Sequence, residues 1–230
     1  NVNKIAWLRN ARGGDYPSIK EFSKICIDSG CQGITVHPRD DMRHINPEDV
    51  KILKELTMES EVEFNIEGNP FSEQKKKYPG FLQLIKSYQP DQCTLVPDAS
   101  SQLTSDHGWD LLGDNSRLAS LIKTIKTYGS RVSLFMDPSE EGISKAKEVG
   151  ADRIELYTGP YAEAVKHQKG IKDLIKQYSK ADKHAHNLGL GVNAGHDLNL
   201  SNLSIFLSEC SIDEVSIGHA LVTDSLRFGM

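Results

Sequence analysis

Gly33-Ile34-Thr35-Val36-His37-Pro38-Arg39 is the stretch on which the reading of this chain turns. Three β-prone residues run into a histidine, a proline and an arginine. The pattern predicts a short buried strand that delivers an imidazole and a guanidinium at its far end. In a parallel barrel, such strand ends share one mouth, and the chemistry sits there.

The flanking sequence repeats this unit. Strands are expected over 1–6, 33–37, 61–68, 92–97, 131–137, 153–159, 190–196 and 214–219. Helices are expected between them. Ser18 with Glu21 makes a capping-box start, and Asn46-Pro47-Glu48-Asp49 combines a cap, a proline and first-turn acids. Further helices are expected over 72–88 with a break at Pro79-Gly80, then 115–128, 138–150, 160–187, 199–208 and from about 221. No Gly-x-Gly-x-x-Gly follows the first strand, which disfavours a dinucleotide fold. Eight strands alternating with helices, about 25 to 30 residues apart, predict an α/β fold of the (β/α)8 TIM-barrel class, eight parallel strands with outer helices, in one domain over 1–230. Both termini read as incomplete, because a strand is already under way at Asn1 and the last helix is short.

Bulk properties narrow the function. The chain has 230 residues, a net charge of −5 and 26% charged residues. That balance argues against general nucleic-acid binding but leaves anionic small ligands open, since local arginines and helix N-termini hold phosphate in acidic proteins. No apolar run is long enough for a membrane span, and Asn1 to Trp7 lacks a signal-peptide layout. Cys26, Cys31, Cys93 and Cys210 form no CxxC pair, so reduced cysteines and a cytoplasmic setting are expected.

The expected strand ends carry a shared chemistry. The first offers Asn1, Asn3 and Lys4, with Arg12 in the following loop. The second offers His37 and Arg39, with Arg43 and His44 beyond; the third ends in Glu67. The long polar loop 98–114 contains Thr104, and a loop of that length is functional or mobile. Glu155 lies within the sixth strand, where it is either an interior carboxylate or the partner of Arg153 or of a neighbouring strand's cation. The seventh ends in Gly195-His196 and the eighth in Gly218-His219. Asp137, before Pro138, reads as a helix cap, and His184 and His186 read as a solvated helix face. Glycine beside histidine permits close backbone approach to a ligand, and loops after the last two barrel strands often bind phosphate. On residues alone, the chain handles phosphorylated small molecules by acid–base chemistry.

The ordered set Leu8-Arg9-Asn10-Ala11-Arg12-Gly13, Gly33–Arg39 with Asp41-x-Arg43-His44-Ile45, Leu95-Val96-Pro97, Val132-Ser133-Leu134-Phe135, Val192-Asn193-Ala194-Gly195-His196 and Ile217-Gly218-His219-Ala220 resembles the pyridoxine 5′-phosphate synthase family, PdxJ. The resemblance covers nearly the whole chain. It implies condensation of 1-deoxy-D-xylulose 5-phosphate with 3-amino-2-oxopropyl phosphate in vitamin B6 biosynthesis, releasing phosphate and water. It further implies a homo-octamer, with neither metal nor organic cofactor. Carried over by position, His37 and Glu67 match general bases, His196 a general acid and Glu155 a transition-state carboxylate. Asn1, Arg12, Gly218 and His219 match contacts to the aminoketone phosphate; Arg39, His44 and Thr104 match contacts to the deoxyxylulose phosphate. Asn3 and Lys4 stand where the family pattern has Asp and His, and Asp197 where it often has Gly. Two other readings stay open: an aldolase or epimerase acting on phosphosugars, and a catalytically idle phosphometabolite-binding barrel.

Overall fold

The computed structural model describes residues 1–229. They form two compact units, residues 1–104 with 123–132, and residues 105–122 with 133–229. Within each unit the strands follow chain order. Among the described residues there are seven strands, not the expected eight.

The missing strand is the first. Asn3–Arg12 is helix α1, and in place of strand pairing the Val2 N–H donates to Thr35 O at 3.2 Å. Ala6, Leu8, Arg9, Ala11 and Arg12 are strong helix formers, and once Val2 is spent they follow that preference. Helix α2 spans Ile19–Asp28, capped by Ser18, whose side chain accepts from Glu21 N.

Strand β1 (Gly33–Val36) pairs in parallel with β2 (Glu63–Gly68), and β2 with β3 (Gln92–Leu95). Alternation sorts their side chains. Ile34, Val36, Phe64 and Ile66 form a fully buried apolar set. Thr35, Asn65 and Thr94 point the other way, where Asn65 Nδ2 donates to Thr35 Oγ1 at 3.3 Å and to Thr94 Oγ1 at 3.1 Å. One step further along these polar rows stand His37 and Glu67. The connection between β1 and β2 is helix α3 (Pro47–Ser60), which starts on a full capping box: the Asn46 side chain accepts from Asp49 N, and Asp49 accepts from Asn46 N. Such a cap contributes about 1 kcal/mol. Helix α4 is confined to Phe81–Tyr88. Residues 72–80, expected to be helical, make a turn closed by a Lys75–Tyr78 bridge, with Tyr78 buried.

Helix α5 spans Ser116–Thr127, and strand β4 (Arg131–Met136) begins in the first unit, where Arg131 N donates to Asp91 O. In the second unit β4 pairs with β5 (Arg153–Tyr157), β5 with β6 (Gly191–Gly195) and β6 with β7 (Glu214–Ser216), all parallel. Helix α6 (Glu140–Glu148) is capped by Ser139 and not by Asp137; Asp137 Oδ2 instead accepts from Gly108 N at 3.2 Å. The expected long helix over 160–187 is two, α7 (Gly159–His167) and α8 (Ile171–Asn187), separated by a turn at 168–170. Helix α9 is Leu203–Glu209, and α10 starts at His219 and runs to Phe228. Tyr161, Tyr178 and Phe206 pack ring to ring at 5.0 to 6.3 Å where α7, α8 and α9 meet. Each such pair adds about 0.5–1.5 kcal/mol beyond burial. On α8 His184 is half-buried and His186 exposed, and both have polar partners: His184 Nε2 meets Ser144 Oγ at 2.7 Å, and His186 lies 3.6 Å from Asp213. All four cysteines are free.

Candidate active site

In the first unit the parallel register places the end of β1 beside the end of β2. His37 Nδ1 then lies 3.7 Å from Glu67 Oε2, both side chains buried. The imidazole is not a charged partner of that carboxylate. Burial, followed by the fields of Arg39, His44 and Arg43, pushes the His37 pKa well below its usual value. A neutral imidazole beside a carboxylate is a proton-accepting arrangement. Asn1 Nδ2 reaches both Glu67 oxygens at 3.4 Å, and Asn3 Oδ1 accepts the His37 N–H at 2.9 Å. The two asparagines thus brace the pair although they precede or open a helix rather than line a strand.

His44 sits 6.3 Å from His37, ring centre to ring centre. Its Nδ1 accepts from Ile45 N, which leaves the proton on Nε2, and burial with Arg39 and Arg43 pushes its pKa down to about 3. In that state its Nε2–H is a hydrogen-bond donor. Arg39 is buried and paired with Asp98, and donates to Gln102 O at 3.4 Å. Arg43 donates to Gln102 O, Leu103 O and Ser100 O, so two arginines pin residues 98–103 of the long loop. Thr104, Lys4 and Arg12 are exposed.

Two residues missed at the sequence level hold His44 in place. Arg9 is buried and clasps Asp49 in a two-pronged ion pair, at 2.5 and 2.8 Å. Asn10 Nδ2 donates to His44 O at 2.8 Å. A buried arginine needs such a carboxylate.

The second unit carries its own cluster. Glu155 on β5 is buried and Gly195 ends β6, opposite Tyr157 in the register. A Cβ at residue 195 would fall on Glu155 Oε1, so glycine is what lets the carboxylate lie there. Arg153 is engaged elsewhere, with Asn193 Oδ1 at 2.7 Å and Asp213 at 3.5 Å. His196 follows with φ 89° and Asp197 with φ 59°. Left-handed backbone at such residues costs about 1 to 3 kcal/mol each and persists where neighbours enforce it. The His196 ring packs edge-on against Tyr157 at 5.2 Å, and its Nδ1 meets Asp197 Oδ2 at 2.9 Å. Gly218 is the N-cap of α10 and His219 its exposed first residue. Residues 108–109 are tied to the end of β4: Trp109 N donates to Phe135 O at 2.9 Å, and Gly108 packs so closely on Met136 and Asp137 that no side chain fits. Among the described residues no group of three His, Cys, Asp or Glu stands ready to hold a metal ion, and no helix is long and apolar enough to cross a membrane.

The family described as pyridoxal phosphate biosynthesis protein PdxJ matches residues 1–230. The chain belongs to the PdxJ family. A pyridoxine 5′-phosphate synthase of Xanthomonas axonopodis pv. citri (strain 306) is 53% identical over 232 residues, covering 100% of this chain and 90% of the relative. One from Xylella fastidiosa (strain M23) is 50% identical over 232 residues, covering 100% and 88%. Among solved structures, a mutant tryptophan synthase alpha-subunit from Pyrococcus furiosus has a TM-score of 0.58 at 13% identity, covering 94% of this chain and 88% of that one. Thiamine phosphate pyrophosphorylase from Pyrococcus furiosus has a TM-score of 0.57 at 12% identity, covering 89% and 80%. At these identities the likeness concerns the fold alone, and it places the PdxJ chain in the (β/α)8 TIM-barrel class.

Proposed function

We propose that this chain is a pyridoxine 5′-phosphate synthase, joining 1-deoxy-D-xylulose 5-phosphate to 3-amino-2-oxopropyl phosphate with release of phosphate and water. Full-length membership of the PdxJ family carries the reading. The residues supply what the chemistry needs. Imine formation, enolisation, loss of water and aldol-type closure all need proton transfers, which imidazoles and carboxylates serve.

His37 takes protons as the neutral imidazole, and Glu67 is a second base, held by Asn1. His196 gives a proton to the leaving oxygen. Glu155, buried on β5, faces positive charge that develops on the condensing imine. The aminoketone phosphate is held by Asn1, Arg12, Gly218 and His219. By family resemblance the deoxyxylulose phosphate is assigned to Arg39, His44 and Thr104, with Asn3 and Lys4 beside them. Two separate anion sites suit a reaction that keeps one phosphate ester and expels the other. The proposal includes a homo-octamer in the cytoplasm, working without metal or cofactor and touching neither nucleic acid nor membrane.

Incubation of the purified protein with both phosphorylated substrates tests this. Pyridoxine 5′-phosphate and inorganic phosphate are expected to appear together. Protein that binds both substrates and forms neither product would instead be the idle phosphometabolite-binding barrel.

A further inference from the structure

His196 stands at the tip of a turn that is fixed from several sides. Thr158, fully buried, donates its backbone N–H to Gly195 O at 3.1 Å. Its hydroxyl is shared between Gly195 O at 2.7 Å and His196 O at 2.6 Å. The Asn202 side chain, also buried, donates to Asp197 O at 3.0 Å. These donors hold both left-handed residues, His196 and Asp197, in a conformation that neither would adopt freely. The result folds the Asp197 carboxylate back onto the imidazole, 2.9 Å from Nδ1. The ring also packs edge-on against Tyr157.

A carboxylate only accepts hydrogen bonds, so the Nδ1 that meets it carries the proton. In the neutral ring Nε2 is then the lone-pair nitrogen, and in the protonated ring Nε2–H is the proton left to give away. The partner on one ring nitrogen decides which tautomer exists and where the other nitrogen points. From this geometry we infer that Asp197 is a positioning residue for His196: it fixes the imidazole as the Nδ1–H tautomer and reserves Nε2 for the proton given to substrate. Asp197 then acts through His196 and not as a contact to substrate phosphate. The inference rests on the reading of His196 as the general acid, but its first test does not.

That test is nitrogen-15 NMR of the full chain with labelled histidine, at mildly alkaline pH, with the His196 signals identified by their loss in His196→Asn. Two-bond couplings from the ring nitrogens to the carbon-bound protons distinguish the two tautomers. His196 is expected in the Nδ1–H form, to stay so in Asp197→Asn, whose amide oxygen still accepts, and to move toward Nε2–H in Asp197→Gly. An unchanged tautomer in Asp197→Gly overturns the inference, whether or not the protein makes product. The second test is kinetic. Asp197→Gly is expected to lower kcat about tenfold with KM for either substrate within about twofold, and Asp197→Asn to recover most of the loss. A raised KM with unchanged kcat makes Asp197 a substrate contact and sinks the positioning role. If no variant, nor the parent, turns over, the functional proposal fails while the NMR result still decides the tautomer.

Discussion

Glu155 Oε1 occupies the space that a Cβ of residue 195 would need. A carboxylate buried on β5 and a glycine ending β6 are therefore one feature, set by the register that pairs Glu155 with Asn193 and Tyr157 with Gly195. Gly195→Ala is expected to push the carboxylate aside. The overpacking costs about 1–3 kcal/mol of stability, and turnover is expected to fall far more than the folded fraction. Thermal unfolding measured beside activity checks this; an alanine variant with full turnover would mean that the position of Glu155 is not critical.

Arg9 and Asp49 make the second prediction. Removing one partner of a buried, two-pronged pair leaves an uncompensated charge, at a cost of about 3–5 kcal/mol. Arg9→Met and Asp49→Leu are each expected to lose that much in urea denaturation, and the double variant to lose less than either alone. Additive losses would show that the two side chains stabilise the fold independently.

The buried histidines give a pH dependence of known sign. The folded chain holds His44 neutral down to about pH 3 and His37 well below its usual value, whereas the unfolded chain protonates both near pH 6.5. The unfolded state thus binds more protons as pH falls below about 6.5, so stability is complete above that point and drains away below it. Each histidine contributes a slope of at most about 1.4 kcal/mol per pH unit. Denaturation across pH 4–6.5 is expected to be less pH-dependent in His44→Gln than in the parent by about one proton. Parallel curves would contradict the burial of a neutral His44.

Arg39 is already countered by Asp98. An anion that binds Arg39 must compete with that carboxylate. Asp98→Asn is expected to destabilise the ligand-free protein and to enlarge the thermal shift produced by inorganic phosphate. The same shift in both proteins would remove Arg39 from the anion site.

Much of this was legible in the sequence. The strand at Gly33–Val36 announced itself through its β-prone run, and the Asn46 cap through its Pro and acids. The strands that failed or shortened were those whose residues carry two messages. Residues 1–6 alternate like a strand, yet Lys4, Ala6 and Leu8 also suit a helix, and strand-like backbone pairing is confined to the bond from Val2 to Thr35. The break at 168–170 was hidden because helical residues lie on both sides of it. At the candidate site, residue types at strand ends singled out His37 and Glu67, which the structure brings within 3.7 Å of each other. The bracing by Asn3, Arg9 and Asn10 was not legible, because it depends on contacts 34 to 40 residues away in sequence.

Trp109, moored by its N–H to Phe135 O at the end of β4, belongs to one compact unit, and Trp7, on α1, belongs to the other. The chain has two tryptophans. Each unit therefore carries its own intrinsic fluorophore, and Trp7→Phe and Trp109→Phe convert the chain into two single-channel optical probes. Coincident denaturation curves from the pair define one cooperative folding unit; separated curves define two, and say which melts first.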